Sequence, residues 1–418
     1  MGLFKTSFLN GIAVLIKMAT MFVLNKILAI YVGPSGYALI GQFQNFIQVI
    51  TTFSGTAINN GIVKYSAEFH DTPKKQITLW RSTTKSIFLI SIILSFFIIL
   101  LKKHLSIWLF HNSDFQYVFV WFAIFLIFFN LNSLLLAVLN GTQQIHRLVF
   151  TNILGSLVSF VVSAVLAIQY NLAGALIAIS IYQSINCLIT FYFCKNLAWF
   201  PKSFKYKRQD LTILKSLFPF ALMTFTTVIF GNIAQFVLRD LIINQYDLTY
   251  AGYWDAMNRL SSAYLMLATT IISVYFLPRF SKLKTYIEIK TEIFSGYKSI
   301  LPITVVATII IYVFRTDIVI LLFSEDFLPM LELMKWQLIA DILKIGSWLV
   351  AYMMISKAMT KIFIAIETFF LLSIIPITYI FIQVWGFQGI SIALATNCAF
   401  YWITCSFFAF KKLQKNYI

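Results

Sequence analysis

Apolar runs of about 20 residues recur along the whole length of this chain. A run of that length crosses the hydrocarbon core of a bilayer as a single α-helix. The Ile, Leu and Phe runs lack the alternation of barrel strands, which are about 10 residues long, so helices are favoured over a β-barrel. Only 11% of the residues are charged, whereas soluble domains carry about 25%. We therefore predict an all-α polytopic membrane protein and exclude a soluble enzyme, a secreted scaffold and a disordered regulator.

Hydropathy divides the chain into twelve apolar spans with short polar breaks. The spans are 8–31, 37–63, 84–101, 115–139, 148–169, 171–194, 214–238, 251–277, 298–323, 331–355, 362–384 and 386–410. Gly33-Pro34-Ser35-Gly36 is a turn signal, and so is Asn171. No polar segment is long enough for a soluble domain. The first span contains lysines and no cleavage site follows it, so we expect it to be retained rather than cleaved as a signal peptide.

Positive charge is distributed unevenly between the two sides of the predicted membrane. A net charge of +17 would suggest a nucleic-acid partner in a soluble protein. Here 23 of the 32 Lys and Arg residues fall on the side of the N-terminus, five fall on the opposite side and four lie within spans. Because cytoplasmic loops carry the excess of Lys and Arg, we predict that both termini are cytoplasmic. The charge is then explained by topology, and no nucleic-acid partner is expected.

The two halves of the chain repeat the same motifs in the same order. Stretch 172–178 (LAGALIA) matches 387–393 (FQGISIA), Asn186-Cys187 matches Asn397-Cys398, and Gly36-Tyr37 matches Gly252-Tyr253. The offset is about 210 residues. Six spans per half give both halves the same orientation, so we predict a pseudo-twofold axis along the membrane normal. The predicted domains are an N-terminal six-helix lobe over 1–196, a cytoplasmic linker over 197–213 and a C-terminal six-helix lobe over 214–418.

Ionisable side chains fall inside the spans or at their ends. The basic ones are Lys17, Lys26, Arg239, Arg259 and Lys344, and the acidic ones are Asp255, Asp341 and Glu367. If they faced lipid, five of these charges would together cost about 12–18 kcal/mol, more than the net stability of most domains. The five are Lys17, Arg259, Asp341, Lys344 and Glu367. We therefore expect an internal wet cavity near the midplane, where the lobes meet. The cations would favour an anionic ligand, a phosphate or an acidic sugar, and the acids are candidate proton or cation sites.

Polar residues also form stripes at helical spacing on spans 2 and 7. We predict that Gln44, Gln48, Asn59 and Gln235 line the cavity. Asp255 and Arg259 are four residues apart and are well placed to pair, and Lys344 lies three residues after Asp341. The structural alternatives are stripes that bind helices together and a closed intrahelical Asp341–Lys344 pair. Arg239 at the outer interface, Lys26 near the outer end of span 1 and Glu367 among cytoplasmic headgroups are further alternatives.

The sequence carries no motif for an enzymatic centre. There is no GxxxxGK[ST] loop for ATP hydrolysis. The four histidines fall in loops without metal-ligand spacing, and the four cysteines lie in apolar runs, so we expect neither a metal site nor a disulfide framework. We expect no cofactor, and predict a transporter driven by an ion, proton or substrate gradient rather than an enzyme.

Three stretches carry a resemblance to a known family. They are Leu28-Ala29 through Gly33-Pro34-Ser35-Gly36, Asn60 to Tyr65 with His70-Asp71, and Trp336 to Lys344. Through them the whole chain resembles the Wzx-type lipid-linked oligosaccharide flippases, in the polysaccharide transporter branch of the MATE-like MOP exporter superfamily. The resemblance implies two six-helix lobes around a cationic cavity, alternating access, and a location in the bacterial inner membrane.

The resemblance also implies a cargo and partners. The cargo would be an undecaprenyl-pyrophosphate-linked O-antigen repeat unit, moved from the cytoplasmic to the periplasmic leaflet. The cations would bind pyrophosphate, the polar stripes would bind sugar hydroxyls, and the partners would be the O-antigen polymerase and chain-length regulator. A common-antigen (lipid III) flippase stays open as an alternative. More distant alternatives are a MATE-type drug exporter, which would need an acidic cavity, and a membrane polymerase or ligase, which would need a large periplasmic loop.

Overall fold

The computed structural model describes residues 3–197, 200, 210–276, 279–280, 283–357 and 359–417, and all the regular secondary structure within these ranges is helical. The helices are α1 (Leu3–Ser54), α2 (Asn59–Glu68), α3 (Pro73–Phe110), α4 (Gln116–Gly141), α5 (Ile145–Cys194), α6 (Leu211–Gln245), α7 (Leu248–Ile271), α8 (Tyr286–Val313), α9 (Arg315–Leu322), α10 (Leu331–Ser356), α11 (Thr360–Trp385) and α12 (Gly389–Tyr417). The prediction of an all-α membrane protein is confirmed.

The two longest helices are each broken at a predicted turn. In α1 the break is at Gly33, with φ at 72°, and in α5 it is at Asn171, with φ at 49°. Both residues have a positive φ, which glycine adopts freely and most other residues rarely adopt. Each of these helices therefore contains two apolar arms.

Within the described residues, eight helical segments are long and apolar enough to cross a membrane. Three of these segments contain two arms each. They are α1, α5 and the last of the eight, which joins α11 to α12 through a short 3-10 turn. Helix α7 lies outside this set. Counted by arms, with α7 added, the helices are compatible with the twelve predicted spans.

Two spans that were predicted as continuous helices are interrupted in the structure. Span 2 breaks at Gly55, where α1 ends and a 3-10 turn leads into α2. A side chain at Gly55 would lie 2.7 Å from Ile87 of α3, so the break allows a close approach that hydropathy does not reveal. Span 9 breaks after Val313, where the Arg315 guanidinium donates a 3.0 Å hydrogen bond to the Tyr312 carbonyl.

The chain divides into two compact units, and it passes between them inside helices. The first unit comprises the residues up to Val32 together with Leu39–Asn232, and the second comprises Gly33–Ala38 together with Ile233–Ile418. The chain therefore changes unit twice within α1 and once within α6. Most of the predicted linker 197–213 lies outside the described residues, and the predicted lobe boundaries stay a prediction.

Each unit has its own buried core. In the first unit the rings of Phe43, Phe119 and Phe122 pack together. In the second unit Ile293 of α8 and Leu349 of α10 belong to one buried apolar cluster. Burial of such side chains is favourable by about 1.5–3 kcal/mol each in water, but between helices in lipid close packing is the main attraction.

A matched glycine in each unit allows a helix to pack closely on its predecessor. A Cβ added at Gly174 would overlap the carbonyl oxygen of Leu166, and one added at Gly389 would overlap that of Phe381. Each glycine lies three residues after a left-handed residue, Asn171 or Gly386. The two stretches matched in the sequence therefore fold in the same way.

A matched asparagine hydrogen bond follows in each unit. Asn186 donates to the Ser159 hydroxyl at 3.0 Å, and Asn397 donates to the Ser373 hydroxyl at 2.9 Å. In both cases the serine lies on the preceding helical arm. Interhelical amide bonds of this kind contribute about 0.6 kcal/mol on average in membranes, and their recurrence supports an internal repeat.

Candidate functional site

A buried carboxylate in the second unit is surrounded by donors from two helices. Asp341 of α10 is fully buried, and its Oδ2 accepts hydrogen bonds from Ser261, at 2.6 Å, and from Tyr264, both on α7. Its Oδ1 accepts from Lys344 at 3.3 Å and from Gln337 at 3.4 Å. Four donors therefore stabilise one carboxylate in a low-dielectric setting.

Lys344 is more exposed than Asp341, the carboxylate at the centre of an acid cluster that consists of Ser261, Tyr264, Gln337, Asp341 and Lys344. Its side chain is 24% exposed while that of Asp341 is 0% exposed. The pairing expected from the three-residue spacing is confirmed. The pair is not a closed intrahelical one, however, because α7 supplies two of the donors to the carboxylate.

A second ion pair is almost completely enclosed. Arg239 of α6 donates from Nε to one oxygen of Asp255 at 3.0 Å and from Nη2 to the other at 2.7 Å. The two side chains are 2% and 8% exposed. The planar guanidinium of a residue on another helix, α6, therefore engages both oxygens of Asp255 at once, a partner that the four-residue spacing of Asp255 and Arg259 did not predict. Arg239, for which a place at the outer interface was the alternative, is enclosed by protein.

Arg259 lies against an aromatic cluster. Its guanidinium carbon is 5.2 Å from the centre of the Tyr37 ring, within the range of a cation–π contact. Tyr37 is fully buried and lies 5.1 Å from the ring of Phe327, which also contacts Tyr253 at 6.1 Å. The two tyrosines matched by the sequence repeat thus pack on one phenylalanine of the second unit.

The remaining predicted residues of the second unit lie apart from the acid cluster in their contacts. Glu367 of α11 is half-buried and accepts a 2.8 Å hydrogen bond from Tyr401 of α12. Gln235 is half-buried on α6. Glu367 is therefore held by an interhelical hydroxyl rather than by a cation.

The first unit holds the other predicted site residues. They are Lys17, Lys26, Gln44, Gln48 and Asn59. Lys17 and the two glutamines are exposed on α1, and Lys26 is half-buried there. Asn59 instead donates a 2.6 Å hydrogen bond to Ser133, which connects α2 to α4. The grouping of both sets of residues around one cavity stays a prediction.

Sequence reasoning missed the hydroxyls that complete the second-unit sites. Ser261 and Tyr264 are three residues apart on one face of α7, a spacing that indicated a polar patch in an apolar helix. Tyr37 was noted only as part of the repeat. Among the described residues, no three His, Cys, Asp or Glu side chains converge in a way that could hold a metal ion.

Comparison with known proteins gives relatives of the same length. The model of the family described as "Polysaccharide biosynthesis protein" matches residues 3–284. The Lipid III flippases of Escherichia coli (strain K12) and Shigella flexneri are each 27% identical over 409 residues, which is 98% of this chain and 98% of theirs.

Among solved structures, an inward-facing multidrug resistance MATE family transporter of the MOP superfamily aligns with a TM-score of 0.81 at 13% identity, over 97% of this chain and 100% of that one. The Lipid II flippase MurJ in an inward closed conformation aligns with a TM-score of 0.72 at 15% identity, over 99% and 90%. At such identities these structures show the fold alone, and they confirm the expected MATE-like fold.

Proposed function

Because this chain belongs to the polysaccharide biosynthesis protein family, we propose that it is a flippase for lipid-linked oligosaccharides. The observation that carries the proposal is the similarity to Lipid III flippases over 98% of both chains. Transport of a lipid-linked cargo requires a multi-pass membrane protein, and the apolar helical segments of this chain are consistent with one. The protein acts as a transporter, and no bond-making or bond-breaking step is part of the proposal.

The proposed cargo is an undecaprenyl-pyrophosphate-linked O-antigen repeat unit. It moves from the cytoplasmic to the periplasmic leaflet of the inner membrane, with both termini of the protein in the cytoplasm. The excess of Lys and Arg on the side of the N-terminus supports this orientation. Lipid III is the second candidate cargo, and the 27% identity to Lipid III flippases favours it.

The pyrophosphate is bound by cations that remain accessible. Lys344 is partly exposed at the edge of the acid cluster, and Arg259 is half-buried on the aromatic cluster. Lys17 and Lys26 on α1 complete the proposed set of pyrophosphate-binding cations. The proposed ligands of the sugar hydroxyls are Gln44, Gln48 and Gln235. Arg239 has both oxygens of Asp255 as acceptors, so the role we assign to it is to hold α6 against α7.

Asp341 and Lys344 connect cargo binding to the coupling ion. A pyrophosphate that draws the Lys344 ammonium away from Asp341 leaves a fully buried carboxylate without its counter-charge. An uncompensated charge at that depth costs several kcal/mol, and uptake of a proton removes it. We therefore propose Asp341 as the proton site. Asp255 and Glu367 are weaker candidates, because cargo binding at Lys344 leaves their partners, Arg239 and Tyr401, in place.

The test of the flippase proposal is the glycolipid that accumulates in cells lacking this protein. We expect the prenyl-linked repeat unit to accumulate on the cytoplasmic leaflet and the surface polysaccharide to disappear. The wild-type chain and Lys335→Met should restore the surface polysaccharide, whereas Lys344→Met should not. Lys335 is a matched control because it is an exposed lysine on the same helix, α10. Normal surface polysaccharide without any accumulated glycolipid would contradict the proposal.

A further inference from the structure

One face of α8 forms an open groove of about 470 Å³. Its lining residues are Lys290, Thr291, Phe294, Ser295, Lys298 and Ser299. They recur at intervals of four residues in two adjacent rows, so they share one side of the helix. All six are exposed, while the opposite side of α8 is buried through Ile289, Ile293 and Ile300. The groove is therefore a polar stripe on the outer side of an otherwise apolar helix.

The length of α8 fixes the depth of this stripe. The helix has 28 residues and extends about 42 Å at 1.5 Å per residue, whereas the hydrocarbon core is about 30 Å thick. Arg315, half-buried just beyond the helix end, marks one interface. Counting back about 20 residues from Val313 puts the other boundary near Phe294. Lys290 then lies among the headgroups, and Lys298 lies about one turn inside the hydrocarbon.

The acids of α8 are already engaged. Glu292 is buried and pairs with Arg279 at 2.9 Å, and Glu288 accepts from the backbone at the start of the helix. Neither Lys290 nor Lys298 forms an ion pair with a carboxylate among the described residues. The groove thus presents two ammonium groups and three hydroxyls without a counter-charge from its own helix.

We propose that this groove binds the phosphate headgroup of an anionic membrane lipid. Helical side chains point toward the N-terminus of their helix, so the Lys298 ammonium reaches down toward Lys290 and the headgroup layer. A phosphate between the two ammonium groups receives donors from the hydroxyls of Thr291 and Ser295. The predicted orientation of the chain puts this lipid in the cytoplasmic leaflet.

The apolar surface beyond the groove selects a lipid over a free phosphate. Ile303, Val306 and Ile310 follow the stripe on α8, and they are 71%, 56% and 51% exposed. They provide a continuous apolar surface for acyl chains directly next to the cationic stripe. The occupant is therefore a resident lipid, and the inference does not depend on which cargo the protein carries.

The experiment measures lipid selectivity in reconstituted vesicles of phosphatidylcholine. Spin-labelled phosphatidylglycerol and spin-labelled phosphatidylcholine are compared as probes for association with the purified full-length protein. Each lysine near a membrane surface contributes about fivefold to anionic-lipid affinity, so Lys290→Gln with Lys298→Gln should lower the phosphatidylglycerol preference by roughly 25-fold. The matched control is Lys102→Gln with Lys103→Gln, which removes the same number of charges. These two lysines lie toward the C-terminal end of α3, which the predicted topology puts on the opposite side of the membrane from Lys290 and Lys298.

Several outcomes separate this inference from its rivals. It holds if wild type and the Lys102/Lys103 control prefer phosphatidylglycerol, the groove variant does not, and inorganic phosphate fails to displace the probe. It is overturned if both variants lose the preference equally, if inorganic phosphate displaces the lipid, or if the wild type does not discriminate between the probes. Helical circular dichroism and Lys298→Arg, which keeps the charge and should keep the preference, control for misfolding.

Discussion

The buried pair of Arg239 and Asp255 gives the most direct test of how the second unit is stabilised. Asp255→Ala removes both acceptors from a guanidinium that is 2% exposed and whose Nη1 already has no partner among the described atoms. Loss of one member of a buried ion pair costs about 3–5 kcal/mol because the other charge stays desolvated. The ring of Trp254, 5.6 Å away, remains as a weaker cation–π contact.

A double substitution separates the charge effect from a packing effect. Arg239→Met with Asp255→Leu removes both charges while keeping much of the volume, and we expect it to stay within about 1 kcal/mol of wild type, since apolar replacements of buried pairs are often neutral. The assay is the free energy of unfolding in mixed micelles, followed by tryptophan fluorescence. Asp240→Ala is the matched control, because Asp240 is exposed beside Arg239 and should cost less than about 0.5 kcal/mol.

If Asp255→Ala were no more destabilising than Asp240→Ala, the pair would not be desolvated in the membrane. If the double variant were as unstable as Asp255→Ala, the loss would come from packing and not from an unpaired charge.

Two further predictions concern local structure. Gly174→Ala should prevent close packing on the Leu166 carbonyl and abolish a monodisperse fold. Gly231→Ala, where no atom lies within 4 Å of the added Cβ, should raise the free energy of unfolding by about 0.5–1 kcal/mol. Equal elution profiles of the two variants in size-exclusion chromatography would contradict this. Hydrogen bonds from the backbone N–H groups of Lys284 and Thr285 lower the pKa of Glu288 below 4.5. Its stabilisation of the α8 start is therefore complete above the unfolded-state pKa and is lost as the pH falls through the lower folded-state pKa. Amide-exchange protection at the α8 start, corrected for intrinsic rates, should fall on acidification in wild type and be lower and flat in Glu288→Gln; the same acid dependence in both proteins would disprove this role.

The fold was predictable because bilayer thickness and hydropathy leave few alternatives. Apolar arms and the turns at Gly33 and Asn171 can be read from local sequence. The break after Ser54 could not be, because it is stabilised by groups distant in sequence. There the Asn130 amide donates to Ser54 at 2.7 Å, and Gly55 makes room for Ile87.

The site was predictable only where partners lie on one helix. The three-residue spacing of Asp341 and Lys344 was sufficient to predict their contact. The same reasoning did not identify the bidentate partner of Asp255, because Arg239 lies on the neighbouring helix. Tyr264 was missed because an aromatic residue in an apolar helix looks like packing until the carboxylate beside it is seen.

We propose that accessible cations and protonation of Asp341 drive the flipping of a lipid-linked oligosaccharide. The most direct measurement is transport of a prenyl-pyrophosphate-linked repeat unit in proteoliposomes, read as sugar that becomes resistant to an external glycosidase. We expect a pH gradient to accelerate transport by the wild type and Asp341→Asn to abolish this acceleration. Lys344→Met should abolish transport, whereas Lys335→Met should not. Equal, pH-independent transport by the wild type and all three variants would contradict it.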